Sequence, residues 1–246
     1  MMIDFHCHIL QGIDDGSHDT EESLALIQEE NKQGIQTIIL TPHFYAHRDR
    51  VDHFLTKREE RYLALQSAMK EHHMEHIVFY LGAEVYYFGG IGKAEMVEKL
   101  CIQGTDLLLL EMPFCQWTRE MLDDIRGLIR TQKVTVILAH IERYFSFQKD
   151  KGIMNQILDL PVILQMNAGS FLAGSKFMDF EGKKKRRKCL ELLDEPDYHI
   201  LLGSDAHNMH ARKPNLAAGR AVIAEKIGTD RLLEIDSLGE RILCRD

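Results

Sequence analysis

The sequence predicts an α/β protein in which parallel strands alternate with helices around a barrel. Short runs of β-branched and aliphatic residues recur along all 246 residues, and stretches with helical spacing and charged side chains separate them. Several runs, such as residues 107–110 and 134–139, are almost continuously apolar, which is typical of strands covered on both faces. Seven units of about 35 residues each suffice to close a barrel through right-handed crossovers.

The elements follow one another as strand and then helix. The first helix is predicted from Asp19, which starts a capping box, to Gly34, which stands where a C-cap belongs. Apolar residues at helical spacing predict a second helix over 51–69 and a later one over 121–129. No linker or low-complexity segment divides the chain, so we expect one domain over residues 1–246. The predicted strands cover residues 2–8, 36–43, 77–85, 106–112, 134–140, 162–167 and 199–207.

Composition excludes several classes of protein. The chain has 30 Lys and Arg against 38 Asp and Glu, a formal net charge of −8 that disfavours a nucleic-acid groove. No apolar run approaches the roughly 18 residues of a membrane helix, and the start is too polar for a signal peptide, so we expect a cytoplasmic protein without membrane insertion. The five cysteines are widely spread, which predicts reduced thiols. One basic run, residues 183–188, is interpreted as a solvated helix start.

Polar residues stand at the end of every predicted strand, where barrels of this kind carry their sites. His6 and His8 are two apart on a strand, so their side chains share a face, and Asp205 and His207 repeat this geometry on the last strand. Asn167 ends the sixth strand. With Asp15 from the loop after the first strand, the candidate metal ligands are His6, His8, Asp15, His43, Glu84, Glu111, His140, Asp205 and His207.

Mixed imidazole and carboxylate ligands suit a transition metal such as zinc, manganese or iron rather than magnesium or calcium. Nine donors exceed the needs of one four- to six-coordinate ion, so two or three metals are implied. A single strand-end histidine is more often structural, but several carboxylates gathered without cations would repel one another. The joint pattern therefore favours a metal site. His72, His73 and His76 lie in a polar helix end and are left out of it.

These motifs resemble the polymerase and histidinol phosphatase (PHP) superfamily, and within it the manganese-dependent tyrosine-protein phosphatases of Gram-positive bacteria that accompany capsule and exopolysaccharide synthesis. The resemblance runs in family order from residue 6 to about residue 214. Gln11 departs from the pattern, since the family usually carries Pro there. The motifs that carry the resemblance are His6-Cys7-His8-Ile9-Leu10, Gly12-Ile13-Asp14-Asp15-Gly16, Thr41-Pro42-His43, Gly82-Ala83-Glu84, His140-Ile141-Glu142-Arg143, Asn167-Ala168-Gly169-Ser170 and Gly203-Ser204-Asp205-Ala206-His207.

The resemblance implies a distorted (β/α)7, TIM-barrel-like fold with three transition-metal ions, Mn²⁺ first and Fe or Zn as alternatives. It places His6, His8, Glu84 and Asp205 on one metal, has Glu84 bridge to a second held by Glu111 and His140, and gives Asp15, His43 and His207 to a third. Arg143 and Arg212 match the phosphate-holding arginines. The implied substrate is the phosphotyrosine tail of a membrane-associated bacterial tyrosine kinase.

The residues at particular positions exclude one alternative function and leave others open. A cysteine-nucleophile phosphatase needs an Arg six positions after its Cys, and the positions at that spacing hold Ile13, Leu107, Met121 and Glu195. A small-molecule phosphatase, such as one for histidinol phosphate, and a phosphodiesterase remain alternatives. Glu111 distinguishes this chain from relatives that hydrolyse histidinol phosphate, because those tend to have His at this position. A metal-stabilised module that docks a kinase without turnover is disfavoured by the complete ligand set.

Overall fold

A computed structural model describes residues 1–174 and 179–243 of the chain. The strands are β1 (Ile3–Cys7), β2 (Thr37–Leu40), β3 (His43–Phe44), β4 (Val78–Leu81), β5 (Glu84–Tyr86), β6 (Leu107–Glu111), β7 (Thr135–Leu138), β8 (Ile163–Asn167) and β9 (Ile200–Gly203). The α-helices are α1 (Thr20–Lys32), α2 (Val51–Glu71), α3 (Arg119–Arg130), α4 (Gly152–Leu158), α5 (Phe180–Asp194), α6 (Leu216–Lys226) and α7 (Thr229–Leu243).

All strand pairs are parallel, which confirms the predicted α/β architecture. The strands form two sheets, one in the order β1-β2-β4 and one in the order β3-β5-β6-β7-β8-β9. A single bridge from Cys7 to Ala206 connects the end of β1 to the segment after β9. The structure thus shows two parallel sheets in contact where the sequence predicted one barrel.

Two predicted strands are each divided in two, which explains why seven became nine. The second breaks at Thr41-Pro42, because proline has no N–H to donate to a ladder, and the third breaks at Gly82-Ala83. Before the breaks β2 pairs with β4, and after them β3 pairs with β5. The breaks thus lie side by side and move both segments from one sheet to the other just before His43 and Glu84.

A bulge in β1 also shapes the site. From Asp4 to Cys7 the strand advances three residues while its partner β2 advances only two, from Ile38 to Leu40. As a result Phe5 and Cys7, two apart in sequence, pack in different hydrophobic clusters. The bulge lies between Asp4 and Cys7, in the segment that carries His6.

The core covers both faces of the strands, as predicted. On β6, Leu108 and Leu110 belong to the larger cluster, whereas Leu107 and Leu109 belong to a smaller one that Leu238 of α7 helps to close. All four leucines are at most 1% exposed. Burial of such side chains, worth about 1.5–3 kcal/mol each, fixes the strand ends that carry the polar residues.

The predicted helices are confirmed. Asp19 caps α1 by accepting a hydrogen bond from the N–H of Glu22, and Gly34 follows the last turn with a φ of +82°. Thr118 caps α3 in the same way. None of the helices in residues 1–174 and 179–243 is long and apolar enough to cross a membrane.

Candidate functional site

All nine predicted ligands come together on the side of the sheets where β1, β2, β4, β6, β7 and β9 have their carboxyl ends. His6 lies in β1, and His8 follows it; the other residues lie in or just after β3, β5, β6, β7 and β9, with Asp15 in the loop between β1 and α1. His140 and Asp205 have φ values of +30° and +54°, a region that side chains other than glycine rarely adopt. Backbone strain at two such residues is typical of functional sites.

Glu84 is at the middle of the cluster. Its Oε2 lies 3.1 Å from His6 Nε2 and 3.2 Å from His8 Nε2, and its Oε1 lies 2.9 Å from His140 Nε2. The Glu84 side chain is 1% exposed. His43 Nδ1 lies 3.0 Å from the same Oε2, so one carboxylate faces four imidazoles, as a ligand shared between metal ions would.

Asp15 and Glu111 extend the cluster from Glu84. Asp15 Oδ1 lies 3.5 Å from His43 Nε2 and 3.6 Å from His207 Nε2. Glu111 lies 3.6 Å from His140 Nε2 and 3.8 Å from His43 Nδ1. The nine residues therefore form one continuous network.

Three groups of these residues hold ligand atoms within 4.8 Å of one another. They resemble the three sets implied by the family, but His8 and His43 each fall in two groups, and His140 falls in none even though it contacts Glu84. The groups are His8, Asp15, His43 and His207; His6, His8 and Asp205; and His43, Glu84 and Glu111.

Three of the histidines turn one defined nitrogen toward the cluster. His8 Nδ1 lies 2.7 Å from Asp14, His6 Nδ1 lies 2.9 Å from Gln165 Oε1, and His207 Nδ1 lies 3.0 Å from the carbonyl oxygen of Asp205. The three partner oxygens accept hydrogen bonds from the Nδ1 atoms, so they favour the tautomer with the proton on Nδ1. The Nε2 atom then faces inward, the position from which a metal-binding histidine binds its ion.

Asp14 and Gln165 were not among the predicted site residues. Asp14 also accepts hydrogen bonds from the backbone N–H groups of His43 and Gly16. Gln165 Oε1 accepts a hydrogen bond from the His140 N–H, and its amide nitrogen donates to Asn167. The available signals were the doubled Asp of the Gly12–Gly16 motif and the position of Gln165 two residues before Asn167, on the same strand face.

The pKa values of several side chains in the cluster are strongly shifted. Burial raises the pKa of Glu84, but the charge of His6 and hydrogen bonds from His140 outweigh it and hold the pKa well below its usual range. Burial and the nearby charge of Glu84 raise the pKa of Glu111 to about 8. Burial and the charge of His8 lower the pKa of His207 to about 3. Near neutral pH these shifts favour a charged Glu84, a protonated Glu111 and a neutral His207.

Arg143 and Arg212 reach the same site through Asp205. Arg143 Nη2 lies 2.7 Å from Asp205 Oδ2, and Arg212 Nη2 lies 2.6 Å from Asp205 Oδ1. Asn167 adds a hydrogen bond of 2.7 Å to Oδ2. The Asp205 side chain is 3% exposed, but the two arginine side chains keep 33% and 37% of their surface open. Both guanidinium groups thus lie at the boundary between the cluster and solvent.

Aromatic rings that were not predicted from the sequence lie beside the site. Tyr45 lies beside His43 with ring centroids 5.2 Å apart and contacts Tyr86 at 5.6 Å. Phe114 stacks on His140 at 5.9 Å with an angle of 18° between the rings. A cavity of about 550 Å³ opens between Asp15, His43 and Tyr45.

The residues left out of the site lie elsewhere. His72, His73 and His76 are exposed at the end of α2. Cys7 is fully buried, and its thiol contacts the carbonyl oxygen of Ile39 at 3.4 Å. Cys7, Cys101, Cys115 and Cys189 are free thiols, and Cys244 lies outside the described residues. Burial raises the pKa of Cys101 and of Cys189 to about 12, so neither is a ready nucleophile.

Gln11, where the family usually carries Pro, is 4% exposed. Its side-chain amide donates a hydrogen bond of 3.1 Å to the carbonyl oxygen of Arg61 in α2. The loop that carries Asp14 and Asp15 is thereby tied to that helix.

Comparison with known proteins gives matches over nearly the whole chain. Tyrosine-protein phosphatase CpsB of Streptococcus pneumoniae is 28% identical over 238 residues, which cover 95% of this chain and 94% of the relative. Tyrosine-protein phosphatase YwqE of Bacillus subtilis is 27% identical, with coverage of 93% and 86%.

A solved structure, described as YwqE from Bacillus subtilis and CpsB from Streptococcus pneumoniae, unique metal-dependent tyrosine phosphatases, superposes with a TM-score of 0.84 at 23% identity. It covers 98% of this chain and 94% of the other. The family of capsular polysaccharide synthesis proteins CpsB/CapC matches residues 2–239. These matches confirm the relationship predicted from the motifs, and the chain belongs to the CpsB/CapC family.

Proposed function

We propose that the protein is a metal-dependent protein-tyrosine phosphatase that acts in capsular or exopolysaccharide synthesis. The observation that carries the proposal is a cluster of nine His, Asp and Glu side chains with two half-exposed arginines at its edge. Such a set can hold several cations and a phosphoryl group together. The names of the relatives and of the family support this reading over the other metal-dependent hydrolases.

The residues present fit a transition-metal centre. His207 Nε2 is buried and has no hydrogen-bond partner among the described residues, although Asp15 Oδ1 lies 3.6 Å away. The charges of Glu84 and Asp205 raise the pKa of His6 against the effect of burial, so in the free protein a proton occupies a nitrogen that faces the cluster. Metal ions would replace that proton and fill the orphaned position.

We infer three ions, with manganese expected and iron or zinc as alternatives, because the donors mix imidazole and carboxylate. His6, His8, Glu84 and Asp205 would hold the first. Glu84, Glu111 and His140 would hold the second. Asp15, His43 and His207 would hold the third. When bound, such ions supply an activated water and neutralise charge on the phosphoryl oxygens.

The protein's own residues bind and orient the substrate. Arg143 and Arg212 present planar donors at the edge of the cluster and would bind the phosphoryl oxygens that face solvent. The ring of Tyr45 lines the cavity beside Asp15 and His43, so it would contact the aryl ring of phosphotyrosine. An aromatic wall favours an aryl ester over an alkyl one.

We infer that the natural substrate is the phosphotyrosine tail of a membrane-associated bacterial tyrosine kinase, as the family resemblance implies. A flexible tail can reach side chains that lie at the open end of the strands. We also infer that residues 1–246 form one domain, and that the two sheets act as a distorted (β/α)7 barrel joined at the contact of Cys7 with Ala206.

The test compares turnover of a phosphotyrosine peptide with that of histidinol phosphate and of a phosphodiester, each with manganese and after chelation. We expect peptide turnover that chelation abolishes and manganese restores. His8→Ala and Asp205→Ala should lose turnover together with bound metal. Full turnover in a verified metal-free preparation, or preference for histidinol phosphate, would replace the proposal with one of the alternatives.

A further inference from the structure

A second opening, separate from the cavity beside Asp15, lies between α5 and the segment after β7. This α5 groove has a volume of about 570 Å³, and no residue lines both openings. Its lining combines lysines of α5 with phenylalanines and includes Arg143. Because Arg143 also contacts Asp205, the groove starts at the proposed metal site.

The helix presents its lysines to the groove in a regular pattern. Lys184, Lys185 and Lys188 line the groove, and their spacing of one, three and four residues places them on one face of α5. Lys183 and Arg187 belong to the same basic run but do not line the groove; Arg187 contacts Glu191 at 3.4 Å. The basic run, interpreted from sequence as a solvated helix start, therefore has one face directed at a groove.

The charge of this face is not balanced by its surroundings. Lys184, Lys185 and Lys188 are exposed and have no hydrogen bond or ion pair with any residue that the structure describes. Two carboxylates, Glu142 and Glu181, also line the groove. Glu142 Oε1 is already bonded to Ser170 Oγ at 2.7 Å. Arg143 is already paired with Asp205, so the lysines alone outnumber the carboxylates, three to two, in a protein whose net charge is −8, which favours an anionic ligand.

Aromatic side chains make up the other wall. Phe114 and Phe147 are 42% and 41% exposed, unusual for phenylalanine, and their rings lie 5.6 Å apart. Phe114 also stacks on His140, so aromatic surface runs from the metal site into the groove without a break. Exposed rings beside unpaired lysines match a ligand that has an aryl ring and a doubly charged group.

We propose that the α5 groove binds a second phosphotyrosine of the same peptide whose first phosphotyrosine lies at the metal site. The inference rests on the proposed phosphatase function and adds a second binding position for the same substrate. An Asp or Glu side chain would meet the lysines but leave the rings of Phe114 and Phe147 uncovered. A phosphotyrosine uses both walls.

The test uses three peptides matched in sequence: one with a single phosphotyrosine, one with two, and one with Glu in place of the second. Dissociation constants are measured with non-hydrolysable phosphonate analogues on the metal-loaded protein, and kcat/KM with the phosphates. We expect the doubly phosphorylated peptide to be preferred by about fivefold beyond the twofold statistical factor. The preference should shrink as ionic strength rises.

A charge-matched pair of double variants locates the effect. Lys184→Ala with Lys188→Ala should remove the preference for the doubly phosphorylated peptide. Lys183→Ala with Arg187→Ala removes the same charge at the same spacing from another face of α5 and should keep it. Thermal denaturation checks that both variants fold.

Each other outcome has a distinct meaning. Equal loss of preference in both variants would contradict binding in the groove. The preference would then come from the overall positive charge of α5. Equal preference for the Glu peptide would overturn the phosphotyrosine assignment. If no peptide is hydrolysed, the proposed function fails, but the dissociation constants of the phosphonate analogues still decide whether the groove binds a second phosphotyrosine.

Discussion

Asp14 Oδ2 lies 2.7 Å from His8 Nδ1, and this contact selects the nitrogen that His8 turns toward Glu84. The same carboxylate accepts a hydrogen bond of 2.9 Å from the N–H of His43. One side chain therefore orients one proposed ligand and anchors the backbone of another. The charges of Asp14 and Glu84 also raise the pKa of His8 well above its usual value, against the effect of burial.

Asp14→Asn should weaken metal binding without removing a ligand. The amide is nearly the same size but carries no charge and holds the His8 tautomer less firmly, so we expect affinity for Mn²⁺ to fall about 10–100-fold. Titration calorimetry on the metal-free protein measures this. Asp123→Asn, at an exposed position in α3, is the matched control. Unchanged affinity in Asp14→Asn would show that the contact has no role in binding metal.

The gathering of the nine residues could be predicted because parallel strands bring their carboxyl ends to one side of a sheet. His43 and Glu84, for example, follow the ends of the neighbouring strands β2 and β4, and they lie opposite each other at the start of β3 and β5. The outer contacts could not be predicted in the same way. Whether Asp14 or Asp15 faces His8 depends on the path of a loop, in which Gly12 adopts a φ of +60°.

The division into two sheets could not be predicted from the sequence either. The two breaks at Pro42 and Gly82 are weak local signals, and their effect appears only because they fall side by side in space. The bulge after Asp4 is similar, since it depends on the register with β2. The contacts of Arg143 and Arg212 with the Asp205 carboxylate could not be predicted either, because they depend on how three separate segments lie relative to one another.

A buried carboxyl pair lies behind the site, where α1 packs against β1. Glu30 is fully buried, and neither of its oxygens has a hydrogen-bond partner among the described residues. Burial and the charge of Asp4 raise the pKa of Glu30 well above its usual value. Asp4 itself accepts a hydrogen bond of 2.8 Å from the Ser204 N–H.

Glu30→Gln should make stability less dependent on pH. Between the ordinary pKa of Glu and its raised value in the folded protein, the folded state holds a proton that the unfolded state has lost. Stability therefore falls as pH rises through this window, and the uncharged amide removes that fall. Urea denaturation at pH 5 and pH 8 should show a smaller difference in Glu30→Gln than in the unmodified protein. Glu29→Gln, one residue earlier and half-buried, should keep the original difference.

Arg143 and Arg212 each bond one oxygen of Asp205, yet both keep about a third of their surface open. If they were ordinary surface ion pairs, each would be worth about 0–1 kcal/mol and its loss would hardly change turnover. As donors to phosphoryl oxygens, they would stabilise charge in the transition state. Loss of one such preorganised donor typically costs about 10²–10³ in rate.

We therefore expect Arg143→Ala and Arg212→Ala to retain bound metal and thermal stability but to lose most turnover, with kcat/KM on a phosphotyrosine peptide reduced about 10²–10³-fold. Lys at either position should restore only part of it, because an ammonium cannot bind two oxygens with planar geometry. Arg220→Ala is the matched control, since Arg220 makes a bidentate pair with Asp236 at 2.7–2.8 Å between α6 and α7. Near-normal kcat/KM in both site variants, with metal content intact, would remove the arginines from phosphate binding and favour a generic metallohydrolase over a phosphomonoesterase.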